Sequence, residues 1–278
     1  MILIADSGST KTDWCVAKDG ETLKRFTTQG INPYHQDERK INGIVFGELL
    51  PQTSDYRPEK IVFYGSGCRE EKIPTMKNIL LNAFSQEAEV EIYSDLLGAA
   101  RAICGHEEGV ACILGTGSNS CLYDGKGIVE NIAPLGYILG DEGSGATLGK
   151  IFVNELLKNK QMGDLKEEFL NEWNMTEGDI IERVYRQPMA NRFLASIAPF
   201  ISRHTGRAEV SATVTENFRQ FLRKNVRQYH RDDLPVGFTG SIAWHFRDQL
   251  LEAAKEENVT VGVVEKSPMD GLLRYHFR

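Results

Sequence analysis

The chain has 278 residues, 41% of them hydrophobic and 26% charged, which is enough for one large or two medium domains with real cores. A formal net charge of −7 argues against a nucleic-acid or anionic-membrane partner. It does not exclude an anionic small ligand, since backbone amides and a metal can bind one without a basic surface. The five cysteines, Cys15, Cys68, Cys104, Cys112 and Cys121, form no CxxC pair and no zinc-spaced Cys/His cluster. They read as buried, reduced thiols of a cytoplasmic protein. Asp6 interrupts the first apolar run, so no secretory leader is expected, and the stretch from Phe193 to Ile201 is too short to span a bilayer.

In chain order, strands are expected at Ile2–Ala5, Asp13–Ala17 and Thr22–Phe26, the last two joined by the turn Lys18-Asp19-Gly20-Glu21. Residues 38–50 read as a helix. Lys60–Tyr64 is a strand ending in Gly65-Ser66-Gly67, and residues 70–85 are helical. Glu89–Ser94 is a strand that ends at Asp95, and Leu96 to Ile103 is a short helix. Strands then restart at Val110–Leu114, Ser118–Tyr123 and Gly127–Asn131. The glycine-dense loop Gly140-Asp141-Glu142-Gly143-Ser144-Gly145 follows, and from there to His230 the chain is mostly helical. Val214, Phe218, Phe221, Leu222, Val226 and Tyr229 recur at helical spacing and should face a core. Pro235–Thr239 is a strand ending in Gly240-Ser241, a helix runs from about Ile242 to Glu256, and Val259–Val264 is the last strand.

One pattern occurs twice. The apolar run Ile2-Leu3-Ile4-Ala5 ends in Asp6-Ser7-Gly8-Ser9-Thr10-Lys11-Thr12-Asp13-Trp14, followed by a strand and the turn pair Asp19-Gly20. Val110-Ala111-Cys112-Ile113-Leu114 ends in Gly115-Thr116-Gly117-Ser118-Asn119-Ser120, followed by a strand and Asp124-Gly125. Such self-similarity suggests two related domains. Loops without bulky side chains let backbone N–H groups approach an anion closely, so two of them could hold a polyphosphate.

Each piece also has a purely structural explanation. Ser and Thr in the first loop can satisfy local backbone groups; Gly115–Gly117 can be a tight turn; Gly240-Ser241 can open a helix as its cap. Asp95 can cap a helix, or act as a general base at a strand end. Asp141 and Glu142 can bind sugar hydroxyls or be solvated loop charges. Neither the Walker A spacing nor the strand-to-helix setting of a Rossmann fingerprint is present.

Taken together and in this order, Asp6–Trp14, Ser94–Ala100, Leu114–Asn119, Gly140–Gly145 and Gly237–Ser241 resemble the N-acetylglucosamine kinase and BadF/BadG-type ATPase family of the actin, Hsp70 and sugar-kinase superfamily. The resemblance spans nearly the whole chain. It implies an α/β fold of two RNase H-like, actin-like ATPase domains with a nucleotide cleft between them. The first would take residues 1–105 plus about 265–278, the second 106–264 with a helical insertion. It implies Asp6 for magnesium, and Thr10 and Thr12 for the outer phosphates of ATP, with Ser9 and Lys11 in the same loop. Gly115, Thr116 and Gly117 would form the second phosphate loop, and Gly240 and Ser241 would lie by the adenosine. Asp95 would be the catalytic base. Asn119 and Asp141 match sugar-contacting positions, with Ser118 and Gly145 near them. Gly30-Ile31-Asn32 resembles the segment that offers an Asn to the sugar, although Pro33-Tyr34-His35 and Pro134-Leu135-Gly136-Tyr137 depart from a typical hexosamine kinase.

The expected activity is ATP- and magnesium-dependent phosphorylation of an amino sugar at its 6-hydroxyl: N-acetylglucosamine, N-acetylmuramic acid or glucosamine. The partner is this small molecule, with no nucleic acid and no membrane; a homodimer stays open. The alternative is an ATP-hydrolysing activator of a redox enzyme with an iron–sulfur cluster between subunits. That needs thiolates from each subunit, and no cysteine lies after Cys121.

Overall fold

The structure is a computed structural model that describes residues 1–8 and 10–277. The chain divides into two compact units. One comprises Met1–Glu108, Tyr123–Ile128 and Ser267–Arg278, the other Gly109–Leu122 and Val129–Lys266.

The first unit holds a five-stranded sheet of β1 (Ile2–Ser7), β2 (Lys11–Lys18), β3 (Glu21–Gln29), β4 (Lys60–Gly65) and β5 (Glu89–Ser94), in the order β3-β2-β1-β4-β5. β1–β2 and β2–β3 are antiparallel; β4 runs parallel to β1, and β5 to β4. The side-chain period of two splits the sheet cleanly. Leu3, Ala5, Trp14, Val16, Ile61 and Phe63 face one layer, which includes Ile41, Val45, Met76 and Leu80 from the helical segments 38–52 and 73–83. Ile2, Ile4, Cys15, Ala17, Val62 and Tyr64 face the other, with Ala102 of the helix Asp95–Cys104 and Met269, Leu272 and Leu273 of the helix Met269–Phe277. Gly98 lets the first of these helices settle on the sheet, because a Cβ there would lie 2.8 Å from the Tyr64 ring.

The second sheet contains β6 (Glu108–Leu114), β7 (Ser118–Asp124), β8 (Ile128–Glu130), β9 (Val236–Thr239) and β10 (Val261–Glu265), in the order β10-β9-β6-β7-β8. Counted along the chain, both sheets follow the same 3-2-1-4-5 order, and the fourth strand is again parallel to the first and the fifth to the fourth. The repeated loops therefore mark a repeated topology. Between β8 and β9 the chain is helical, including Gly145–Lys158 and Ala208–Lys224. The apolar stripe of the latter, Val210, Val214, Phe218, Phe221 and Leu222, is fully buried, and Val226 and Tyr229 extend it.

Two expectations need adjustment. β1 continues through Ser7 and β2 begins at Lys11, so the first loop shrinks to its centre and Asp6 and Thr12 lie on strands. The helix after β9 is broken at Phe246 into Ser241–His245 and Arg247–Glu256. Among the described residues, no helix is long and apolar enough to cross a membrane.

Candidate active site

In the N-terminal unit, strand parity decides which polar side chains face the site. Asp6 is paired with Asp13 across β1 and β2, on the sheet face covered by the helix Asp95–Cys104. Burial and the carboxylates of Asp13 and Asp95 push the Asp6 carboxyl from 3.8 up to about 7, against a smaller opposing effect of Lys11. Lys11 does not reach out alone: its Nζ lies 3.0 and 2.8 Å from the two carboxylate oxygens of Asp13. Directly opposed like charges are unfavourable in a sheet, and a divalent cation would relieve this pair. Asp6 and Asp13 therefore suit magnesium, which commonly takes one or two carboxylates together with substrate phosphates and water. Among the described residues, no cluster of three or more His, Cys, Asp or Glu side chains is arranged to hold a metal ion.

Ser7 and Thr12, one residue on, point to the opposite face and are fully buried. Their hydroxyls share a 2.6 Å hydrogen bond, and the remaining hydroxyl proton has the Ile31 carbonyl, 2.9 Å from Ser7 Oγ, or the Gln29 carbonyl, 3.2 Å from Thr12 Oγ1, as its acceptor. The Thr12 hydroxyl, expected at the outer phosphates, is thus turned into the core. Thr10 remains exposed beside the turn closed by Gly8 N–H to Lys11 O at 3.0 Å. Ser9 lies outside the described residues.

Asp95 follows β5 as the first helical residue. The cap is Ser94, whose Oγ accepts from the Leu97 amide at 3.2 Å, so Asp95 does not fill the capping role allowed for it above. Its Oδ1 accepts from the Leu96 amide at 2.9 Å. Burial raises its pKa, opposed by hydrogen bonds from backbone amides and from the Ser66 side chain. The same Ser66 Oγ lies 3.5 Å from Asn32 Nδ2. Asn32 is buried, and its Oδ1 accepts from the Tyr34 and His35 amides at 3.0 and 3.3 Å, which leaves the Nδ2 end as the side available to a ligand. Asp13 and Ser66 are thus site residues that sequence reasoning did not assign, although both stood inside motifs it quoted. Burial and Asp95 push the nearby Cys68 thiol up to about 12, and burial pushes Cys104 up to about 11, so neither is a ready thiolate.

In the second unit the three glycine motifs converge. Gly115 N–H donates to Gly117 O at 2.9 Å. The Gly145 and Ala146 amides, opening the helix Gly145–Lys158, donate to Gly115 O and Thr116 O at 2.8 and 3.1 Å. Ser144 caps that helix through Thr147 N–H at 3.1 Å. Gly240, at φ +118°, is held against Leu114, the last residue of β6. Ser241 is exposed as the first residue of its helix. Asp141 sits half-buried at φ 52°, with Oδ1 3.5 Å from the buried Ser118 amide. Burial, helped by Glu142, pushes its carboxyl up to about 6 against the Ser118 amide and Lys150. Asn119 Oδ1 accepts from the Ser120 amide at 3.0 Å and from Asn131 Nδ2 at 2.9 Å. Gly115, Thr116, Gly117, Ser118, Asp141, Gly145 and Gly240 are thus brought together around the end of β6, while Asn119 is tied to Asn131.

The Asp6 environment has a consequence for stability. Its neutral form is favoured in the folded state, so its contribution is fully present below about pH 3.8 and is lost as pH rises through about 7. Asn carries no such liability. Without divalent cations, Asp6→Asn should melt with the wild type near pH 4 and above it by roughly 2–6 °C at pH 8. Thermal melts across this range check it; a constant offset at every pH would refute the assignment of the charge.

No protein-family model matches the chain, and neither does any curated protein. Among solved structures, a Porphyromonas gingivalis protein provisionally named an N-acetylglucosamine kinase is 50% identical, with a TM-score of 0.96, over 100% of this chain and 99% of that one. A Chromobacterium violaceum protein with the same provisional name is 19% identical, with a TM-score of 0.76, over 99% of this chain and 98% of that one. A ROK family glucokinase from Streptomyces griseus, solved with glucose and AMPPNP, is 14% identical, with a TM-score of 0.61, over 98% of this chain and 97% of that one. The last two comparisons speak for the fold, which is that of the actin-like ATPase sugar kinases. With half of its residues identical over its full length to the Porphyromonas protein, the chain belongs to the N-acetylglucosamine kinase family, and it is a sugar kinase.

Proposed function

We propose that the enzyme is an ATP-dependent amino-sugar kinase that phosphorylates the 6-hydroxyl of N-acetylglucosamine, with N-acetylmuramic acid and glucosamine as neighbouring substrates. The observation that carries the reading is Asp95: a partly desolvated carboxylate at a strand end, held by Leu96 N–H and Ser66, in a family whose 50% identical member bears the provisional name N-acetylglucosamine kinase. Phosphoryl transfer requires mainly positioning and electrostatic stabilisation. Asp95 accepts the proton of the attacking hydroxyl, and its raised pKa makes it a better acceptor than an exposed aspartate. The turn at Gly115–Gly117 and the exposed Thr10 segment supply the groups for the phosphates, and Gly240-Ser241 flank the nucleoside. Asn32, Ser118, Asn119, Asp141 and the Gly145 turn serve the sugar. Magnesium, for which Asp6 and Asp13 are the suitable carboxylates, would neutralise charge on the triphosphate. The reading places the enzyme in the cytoplasm, where its reduced thiols and ATP coexist.

An ADP-release assay over a panel of sugars, with magnesium and with a chelator, tests this. N-acetylglucosamine or one of the two named relatives should give the highest kcat/KM, and chelation should abolish turnover. ATP hydrolysis that no sugar accelerates would favour the redox-activator alternative. Failure of ATP to bind in calorimetry, with or without magnesium, would remove both.

A further inference from the structure

Backbone groups alone fix which end of the Asn119 carboxamide is offered to a ligand. The Ser120 amide can only donate, so the atom 3.0 Å from it must be the Asn119 oxygen. Asn131 is fixed in the same way. The carbonyls of Ser120 and Ile132, 2.7 and 3.2 Å from its terminal atom, can only accept, so that atom is Nδ2. Asn131 Nδ2 then makes its third contact, 2.9 Å to Asn119 Oδ1. Both acceptor directions of that oxygen are taken, and Asn119 Nδ2 is bonded to no group among the described residues. The segment carrying Asn131 is itself anchored. Tyr229 Oη, buried in the helical layer, accepts from the Ile132 amide at 3.1 Å and lies 2.7 Å from Ser120 Oγ.

We infer that Asn131 is a positioning residue that locks Asn119 as a hydrogen-bond donor toward the sugar, so that the substrate atom facing Asn119 is an acceptor oxygen. The inference rests on the reading above, in which Asn119 faces the sugar. It assigns complementary polarities within this unit: Asn119 donates, while the ionised Asp141 accepts from a hydroxyl. A ligand group that can only donate, such as the ammonium of an unacetylated amino sugar, has no partner in Asn119.

The test is a double-mutant cycle read in sugar KM. Asn131→Ala frees the Asn119 carboxamide to rotate and should raise the sugar KM about fivefold to tenfold, with kcat and the ATP KM within about twofold, as loss of uniform binding requires. Asn131→Asp removes the donor and sets a carboxylate oxygen against Asn119 Oδ1 and the Ser120 and Ile132 carbonyls, so it should raise the sugar KM at least as much. In an Asn119→Ala background, Asn131→Ala should have no further effect on KM, which a purely structural role would not produce. If wild-type turnover on sugar is intact and both single variants keep a wild-type KM, or if Asn131→Ala costs the same in both backgrounds, the inference falls alone. If the wild type phosphorylates no sugar, the parent reading falls and takes this one with it. Should Asn131→Ala melt well below the wild type, the cycle is read at a temperature where all four proteins are folded, and an equal KM cost in both backgrounds still overturns the inference.

Discussion

Asp95→Asn is expected to lower kcat roughly 10²–10⁴-fold, the usual worth of a general base, while leaving ATP affinity and the melting temperature close to wild type. The structure makes this substitution a clean one. Ser94 caps the helix, so no cap is lost. The bond from Leu96 N–H to Oδ1 can be kept by the asparagine oxygen. Burial already disfavours the charge at this position, so a neutral amide does not destabilise the fold. What disappears is proton acceptance and the charge to which Ser66 bonds. Steady-state kinetics on the best sugar, with melts of both proteins, settle the matter. A variant with near-wild-type kcat would take Asp95 out of the mechanism. In the wild type, kcat should fall on acidification from a pH above the ordinary aspartate range, because Asp95 must be ionised to act and its pKa is raised.

Gly240→Ala should be severely destabilising, by about 3 kcal/mol or more. Gly240 adopts φ 118° and ψ 158°, a region open essentially to glycine only. A Cβ would also lie 2.3 Å from the Leu114 carbonyl oxygen and 2.7 Å from its carbon. That carbonyl belongs to a fully buried residue ending β6, directly before the Gly115 turn, so it cannot retreat cheaply. Low soluble yield, or a large fall in the urea midpoint, is the expected outcome. Gly43→Ala is the internal control. It lies in the helix Glu38–Ile44, where an added methyl group would meet nothing within 4 Å, and should stabilise by about 0.5–1 kcal/mol. Equal behaviour of the two variants would refute the argument.

Much of this was readable in the residues because it rests on local chemistry. The repeated loop-and-hairpin order announced the repeated 3-2-1-4-5 sheets, and the alternation in Glu89–Ser94 placed Asp95 at a strand end. The sequence leaves Asp95 open as cap or base because Ser and Asp cap about equally well, and only the Ser94–Leu97 bond makes Ser94 the cap. The burial of the Thr12 hydroxyl is not legible for a different reason. Its partners, Gln29 and the Ile31 amide, lie 17 and 19 residues away, and nothing near position 12 announces them. The same holds for Ser66, whose importance comes from Asn32 and Asp95 on other elements, and for Asn131, twelve residues beyond the side chain it orients.

The helix Met269–Phe277 carries a consequence for biosynthesis. It supplies Met269, Leu272 and Leu273 to the face of the first sheet that also carries Ile2, Ile4, Val62 and Tyr64. Tyr64 is hydrogen-bonded at 3.0 Å both to His276 of that helix and to Arg101 of the Asp95 helix, and Asp270 pairs with Arg25 of β3. A nascent chain makes the five strands of this unit and the helix Asp95–Cys104 long before it makes the helix Met269–Phe277. Until the last helix emerges from the ribosome, that face of the sheet is short of its apolar cover and open to chaperones or to aggregation. This sheet, whose strands precede the second unit in the chain, is therefore completed only after that unit has been made, and lesions within Met269–Phe277 should be felt at the sheet that carries Asp6.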